Sequence, residues 1–368
     1  MSDDPESPIE SDRVPGAPHP RETRRLVGQD AAVAAFTRAA AAGRLHHGWL
    51  ITGPRGTGKA TLAWAIARWL LAEAGTPDLS VPEDHPVARR LRALSEPRLH
   101  LVRRSLDDKG RLRSEIVVED IRKLLSFFHM SAAEGGRRIA IIDAADDMNT
   151  AAANAVLKML EEPPEGAVLL LVAHQPARLL PTIRSRCREL RLMPLSPEDM
   201  AAALAPLDVP GDPARLAALA GGSVGEALRL AGQDGLDRYA DLVRLFATMP
   251  AMDRQAAAGF AQEAAGRPGA EGDPFDLTMT LLDRFLSRAA RAGLMGPPLP
   301  EAAEGEGALL ARLSPDDRAA RHWAAAQADL SARARAGRAV NLDPAALVMD
   351  MLLTLAHGPG GTDAAGRG

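Results

Sequence analysis

Between residues 24 and 195, short continuous apolar runs alternate with stretches in which apolar residues recur every three or four positions. Beyond residue 196 only the helical spacing remains. A short uninterrupted apolar run bounded by turn residues predicts a strand buried on both faces, whereas a recurrence near 3.6 predicts an amphipathic helix. The runs in "HHGWLIT", "RRIAIIDAADDMN" and "AVLLLVAH" are of the first kind. "LHLVRR" predicts a further strand. "SEIVVEDIRKLLSFFHM" predicts a strand passing into a helix on which Ile121, Leu124, Leu125 and Phe128 share one face.

Helices are predicted over the Ala-rich stretch that ends at Gly43, over "KATLAWAIARWLLAEA", and over "TAAANAVLKMLEEPP", where Pro163 and Pro164 stop it. "LLPTIRSRCREL" predicts a short helix with Pro181 in its first turn. Residues 75–98, Pro-rich and charged, predict a loop with one short helix. The alternation over 21–195 argues for an α/β domain, a parallel sheet covered by helices on both faces. Residues 196–232 predict a small helical domain around "GGSVGEALRL". Residues 233–358 predict an all-α region interrupted by Gly/Pro loops at 266–274 and 293–307. The acidic, Pro-rich residues 1–20 and the Gly-rich residues 359–368 predict disordered tails, because neither could bury enough apolar surface to offset ordering.

The 368 residues are enough for two or three domains. A net charge of −4 means that contact with nucleic acid would need a local basic patch or a partner. The single cysteine, Cys187, excludes a disulfide framework and a cysteine-rich zinc module, and a reducing cytoplasm fits it. The first twenty residues contain no apolar segment, so no signal peptide is expected. The longest apolar run, residues 167–173, falls far short of the ~20 residues that span a bilayer.

The candidate chemistry starts at "GPRGTGKAT". Gly53, Gly58 and Lys59 match the phosphate-binding loop of Gly, four residues, Gly, Lys, then Ser or Thr. The loop lies between a predicted strand and a predicted helix, as the motif requires. Its backbone N–H groups would cradle phosphate and Lys59 would neutralise it. Ala60 stands where a hydroxyl would hold Mg²⁺. Thr61 follows, but one residue turns a helix by ~100°, which aims its hydroxyl elsewhere. Asp143 ends "RRIAIID", the place of a magnesium-holding Asp in nucleotidases of this type, and Ala144 stands where a water-activating Glu often follows. The bland alternatives are a Gly-rich turn without ligand and a strand end capped by a solvated acid. In "TIRSRC", Arg186 begins a basic surface with Arg184, Arg188 and Arg191. It could reach a neighbour's phosphate as an arginine finger or be one more solvated charge. His46, His47 and His174 suit structural or exposed roles better than metal ligation, and "RARAGR" (333–338) suits a solvated helix face.

Taken together, "LVGQDAAV", "HHGWLITGPRGTGKATLA", "AAEGGRRIAIIDAADDMNTAAANAVLKMLEEPP" and "LLPTIRSRCREL" resemble the bacterial clamp-loader branch of the AAA+ proteins, and within it the delta-prime family of DNA polymerase III subunits. The detailed match covers residues 24–195. The resemblance implies an AAA+ P-loop domain, a lid over 196–232 and a C-terminal helical collar over 233–358. It also implies a five-subunit ring with the tau/gamma motor and a delta subunit, which opens a sliding clamp and loads it on primed DNA.

Motor members of that family need the loop hydroxyl, the Glu after the Asp and a lid Arg. Here Ala60, Ala144 and Gly225 occupy those places, and His174 falls near a polar sensor position that is usually Thr. The resemblance therefore implies a subunit that does not hydrolyse ATP and offers Arg186 in trans to its neighbour. Its degenerate nucleotide site would be Gly53, Gly58, Lys59, Thr61 and Asp143, able to hold ATP or ADP without turnover. Many relatives carry a four-Cys zinc module after the loop helix; residues 75–98 contain no Cys, so no zinc is expected. The alternative reading is an active AAA+ ATPase subunit of the motor type, with Asp146 or a neighbour's group in place of the lost Glu.

Overall fold

The computed structural model describes residues 10, 12–13, 17–23, 25–129, 136–267, 269 and 272–356. The chain divides into two units. The first comprises the described residues up to 203 together with 222–225; the second comprises 204–221 and the described residues from 226 onward.

The first unit is an α/β domain. Its elements in chain order are α1 (Asp30–Ala41), β1 (Gly48–Thr52), α2 (Lys59–Ala72), α3 (Pro86–Arg92), β2 (Leu99–Val102), α4 (Val118–His129), β3 (Arg138–Asp143), α5 (Thr150–Glu161), β4 (Ala167–Ala173), α6 (Pro181–Ser185), β5 (Arg188–Arg191) and α7 (Pro197–Leu204). The five strands form one sheet in the order β2-β3-β4-β1-β5, and every pairing is parallel. Because successive side chains on a strand face opposite ways, the three apolar runs feed two separate cores. Ile51, Ile139, Ile141, Val168, Leu170 and Val172 pack with Phe36 of α1, Leu62 and Ile66 of α2 and Leu91 of α3. Leu50, Ala140, Ile142, Leu169 and Leu171 pack with Ile121 and Leu124 of α4 and Val156 and Leu160 of α5. The parallel, doubly covered sheet expected over 21–195 is thus present.

Two details depart from the sequence reading. The strand expected in "SEIVV" is a single parallel bridge, Ile116 to Met148, because only Ile116 is buried there and Val118 already opens α4. Conversely, β5 lies in a stretch read as helix only. It is an edge strand on which Leu190 alone faces the core, so its apolar signal is one residue long.

Part of the stretch expected as a disordered tail is also packed. Asp12 sits with Arg103 (2.5 Å) and with His19 (3.1 Å), Arg21 pairs with Glu10 (2.6 Å), and the His19 ring meets Trp64 of α2 edge-on. Against the cost of burial, His19 and Arg103 hold the Asp12 carboxyl below the usual aspartate range. The physical reason is long-range: opposite charges from just after β2 and from the segment before α1 meet these acids, which composition cannot foresee. Residues 1–9, 11 and 14–16, and the C-terminal stretch read as a flexible tail (359–368), lie outside the described residues.

The second unit is helical throughout its described elements: α8 (Pro213–Ala220), α9 (Val224–Ala231), α10 (Gly235–Ala247), α11 (Arg254–Ala264), α12 (Pro274–Met295), α13 (Glu306–Leu313), α14 (Asp317–Ala339) and α15 (Pro344–Ala356). The first two residues of α9 group with the first unit. The stretch 196–232, expected as a small domain, is therefore shared: α7 starts in the first unit and α8 belongs with the C-terminal helices. No helix among the described residues is long and apolar enough to cross a membrane.

One buried carboxylate organises the second unit. Glu306 accepts hydrogen bonds from the Tyr239 hydroxyl (2.6 Å), from Arg288 Nε (2.5 Å) and Nη2 (2.8 Å), and from the backbone N–H of Ala302 (2.7 Å). Glu306→Ala would leave Arg288 as an uncompensated buried cation, a loss of about 3–5 kcal/mol in urea denaturation. Tyr239→Phe keeps the ion pair and should cost about 1 kcal/mol. Equal losses for the two variants would contradict this ordering.

Candidate functional site

The polar groups singled out in the sequence gather where the central strands end. β1 runs out at Thr52 and the loop 53–58 carries the chain into α2. Gly53 has a φ of +140°, and a Cβ there would stand 2.5 Å from the Leu192 carbonyl oxygen, so only glycine fits where the loop leaves the sheet. Gly58, at φ +94°, is the N-cap of α2 and offers no side chain to the helix's first N–H groups. Those free donors and the positive end of the helix dipole make an anion seat.

Lys59 is the first residue of α2 and only 3% exposed. Its ammonium donates to the carbonyls of Gly53 (2.8 Å) and Pro54 (2.5 Å), so the lysine is held by its own loop. Burial lowers its pKa to about 8; Asp143 and Asp146 act in the opposite sense and Arg55 in the same one. Ala60 and Thr61 are half-buried on the first turn of α2.

Asp143 ends β3 and is buried. Burial, helped by the negative charges of Asp12, Asp147 and Asp146, raises its pKa to about 7, while Lys59 opposes the shift. Loss of water thus favours the protonated form of this group. Ala144 beside it is buried and apolar. Asp146, weighed above as a substitute for the missing Glu, is already engaged: its two oxygens accept the backbone N–H groups of His174 and Gln175, both at 2.9 Å. It ties the end of β4 to the turn after β3. His174 has its Nδ1 buried without a protein partner, and burial together with the charges of Lys59 and Arg55 lowers its pKa to about 4. The imidazole is neutral at physiological pH.

The segment 222–225 rests directly on the phosphate loop. Ser223 Oγ donates to the Arg55 carbonyl (2.9 Å), and the Gly225 N–H donates to the Gly56 carbonyl (3.3 Å). A Cβ on Gly56 (φ +72°) would collide with Ser223 Oγ. Gly225 thus meets the loop through its backbone, with no side chain to carry a charge. A residue with no assigned role in the sequence reading completes the loop's support. Gln29 donates to the Thr57 (3.2 Å) and Met193 (2.8 Å) carbonyls and accepts the Met193 N–H (3.2 Å), pinning the loop to the chain beyond β5. A lone Gln inside "LVGQDAAV" was the available signal.

Gly53, Gly58, Lys59 and Asp143 are thus brought together, but Arg186 is not with them. It caps the C-terminus of α6 just before β5, and its carbonyl oxygen would stand 3.5 Å from a Cβ on Gly48, the first residue of β1. The phosphate loop follows the last residue of that strand. With five residues in β1 and ~3.3 Å of rise each, the two places are roughly 16 Å apart along the strand, at opposite edges of the sheet. Cys187 beside it is a packing residue: burial pushes its thiol up to about 12, and its sulfur faces Gly48. Arg184, Arg188 and Arg191 are exposed. His46 and His47 are structural as expected; their rings stack, and His47 Nε2 bonds the Leu160 carbonyl (3.0 Å).

The donors present fit a phosphate group: loop N–H groups, an open helix N-terminus and Lys59. For a hydrolytic metal the first turn of α2 is one ligand short, since Ala60 brings no oxygen. Among the described residues, no group of three His, Cys, Asp or Glu is placed to hold a metal ion.

Residues 28–196 match the model of a protein family described as "DNA polymerase III, delta subunit". The chain is similar to the DNA polymerase III subunit delta' of Pseudomonas aeruginosa, 38% identical over 54% of this chain and 59% of that protein. It is also similar to the delta' subunit of Bacillus subtilis, 33% identical over 55% of this chain and 59% of that protein. A more distant likeness is to the DNA polymerase III subunit tau of Escherichia coli, 32% identical over 49% of this chain and 27% of that protein. The match thus spans about three-fifths of the length of the two delta' relatives. Among solved structures, a DNA polymerase III gamma-subunit-related protein of Thermotoga maritima aligns over 90% of this chain and 99% of its own, at 17% identity and a TM-score of 0.37.

The raised Asp143 pKa fixes the sign of a pH dependence. Folded Asp143 holds its proton to about pH 7, whereas the unfolded chain releases it near the ordinary aspartate value of 3.8. Its stabilising contribution is complete below 3.8 and is lost as pH rises through 7. Asp143→Asn should therefore lose less stability than the wild type between pH 4 and pH 8 in urea denaturation. Parallel pH profiles for the two proteins would show that Asp143 ionises normally.

Proposed function

We propose that the protein, whose residues 28–196 match the model of that DNA polymerase III delta-subunit family, is a delta-prime-type clamp-loader subunit that turns over no ATP and completes a neighbour's active site. The observation that carries this reading is the separation of its two chemical groups. The phosphate loop lies at one edge of the sheet, with its catalytic positions occupied by Ala60 and Ala144. The one motif arginine, Arg186, lies at the other edge, too far to serve its own loop. On this reading, an arginine in that place serves a phosphate held by another subunit.

On this reading, the loop acts chiefly as a joint. Lys59, Gln29, Ser223 and Gly225 hold its backbone rigid. It retains the donors to bind ATP or ADP through Gly53, Gly58 and Lys59, with Thr61 and Asp143 nearby, but lacks the groups to hydrolyse it. The partners would be the tau/gamma motor and a delta subunit in a five-membered ring, acting on a sliding clamp and primed DNA. Arg186 would stabilise the charge that develops on the transferred phosphoryl group of the motor's nucleotide. The competing reading, an active motor-type ATPase, needs a replacement for the lost Glu. The engagement of both Asp146 oxygens by backbone N–H groups counts against that residue.

The purified chain should show no ATPase activity, and the chain mixed with tau/gamma, delta, clamp and primed DNA should support DNA-stimulated turnover. Arg186→Ala should leave the assembly intact by gel filtration, with the site it serves losing on the order of 10³ in turnover. Turnover by the isolated chain that disappears in Lys59→Ala would favour the motor-type reading instead.

A further inference from the structure

Arg186 does not extend freely from the surface. It is the C-cap of α6, and its guanidinium is folded back onto its own subunit. Nη1 donates to the Thr182 carbonyl (3.2 Å) in the first turn of the same helix. Nη2 lies 2.8 Å from Oε1 of Glu161, the last residue of α5, where Pro163 and Pro164 end the helix. Both terminal nitrogens thus have an acceptor, while the two side chains keep exposures of 37% and 48%.

We propose that Glu161 is a restraint on Arg186: it holds the guanidinium folded on its own subunit, and the terminal phosphate of a nucleotide bound by the adjacent subunit competes it away. The inference rests on the reading of Arg186 given above. Its energetic logic follows from exposure. A half-exposed ion pair is worth at most about 1 kcal/mol, too little to lock the arginine but enough to bias its resting position. A phosphate oxygen carrying developing negative charge in a water-poor interface is a far stronger acceptor for the same fork of donors. The arginine is therefore parked when the neighbouring site is empty or holds a spent nucleotide, and released when a triphosphate is presented. A free arginine would instead be equally available in every state, and basal turnover would be less well suppressed.

The test is a set of three variants in the loader assembled with tau/gamma, delta, clamp and primed DNA: Glu161→Gln, Arg186→Ala and the double variant. Glu161→Gln keeps the shape and removes the charge. DNA-independent ATP turnover should rise about two- to fivefold, as loss of a surface pair of this strength allows. Glu161→Asp, which retains the carboxylate, should restore part of the suppression. The double variant should match Arg186→Ala, because a restraint has no effect without the group it restrains. If Glu161→Gln behaves as wild type while Arg186→Ala loses turnover, the restraint is overturned and the finger stands. If Glu161→Gln loses turnover as Arg186→Ala does, Glu161 aims the arginine rather than withholding it, and the restraint is again overturned. If Arg186→Ala itself turns over normally, the proposed function fails and the restraint falls with it.

Discussion

The central strands of the first unit have no face in water. Every residue of β1 and β4 is buried, and in β3 every residue but the first. A polar side chain in the body of such a strand would meet apolar neighbours on either side at a cost of several kcal/mol. Polar chemistry is therefore confined to the places where strands begin and end. At the carboxyl ends of β1, β3 and β4 stand the phosphate loop, Asp143 and His174. At the opposite edge, the turn into β5 presents Arg186. The two edges follow from one packing constraint, and their separation is what divides the groups that face the protein's own loop from the group that faces outward.

The same burial shifts the titratable groups at the first of these edges. Lys59 is pushed down toward 8, Asp143 up toward 7 and His174 down to about 4, each shift led by loss of water. All three move toward their neutral forms. Gln29, Ser223 and the Gly225 backbone then fill the hydrogen-bonding needs of the loop carbonyls. Arg186, at the other end of the strands, is partly exposed and paired with Glu161.

The parts of the chain without chemistry show how far charge pairing can override composition. Asp12 and Glu10 come from a segment whose residue types predict disorder. Arg21 and Arg103 nevertheless draw them into contact across more than ninety positions in the case of Arg103 and Asp12. In the second unit, Glu306 is a charged residue buried among helices that read as ordinary amphipathic segments. Arg288 and Tyr239 make that burial tolerable.

The sequence by itself determined the parallel, doubly covered sheet, the phosphate loop and the loss of its catalytic positions. These are local properties: a continuous apolar run, a glycine spacing, and an alanine where a hydroxyl or carboxylate is required. Only the tertiary structure decided that β5 is a strand, since an edge strand with one inward residue is recognised by its neighbour rather than by its own pattern. It likewise decided that Asp146 is committed to the N–H groups of residues 174 and 175, that Gln29 supports a loop 28 residues away, and that Glu161 meets Arg186. Each of these depends on a polar group finding a partner far along the chain. A hydrogen bond's partner is set by where the backbone has been carried, and the order of residues alone carries no such distance.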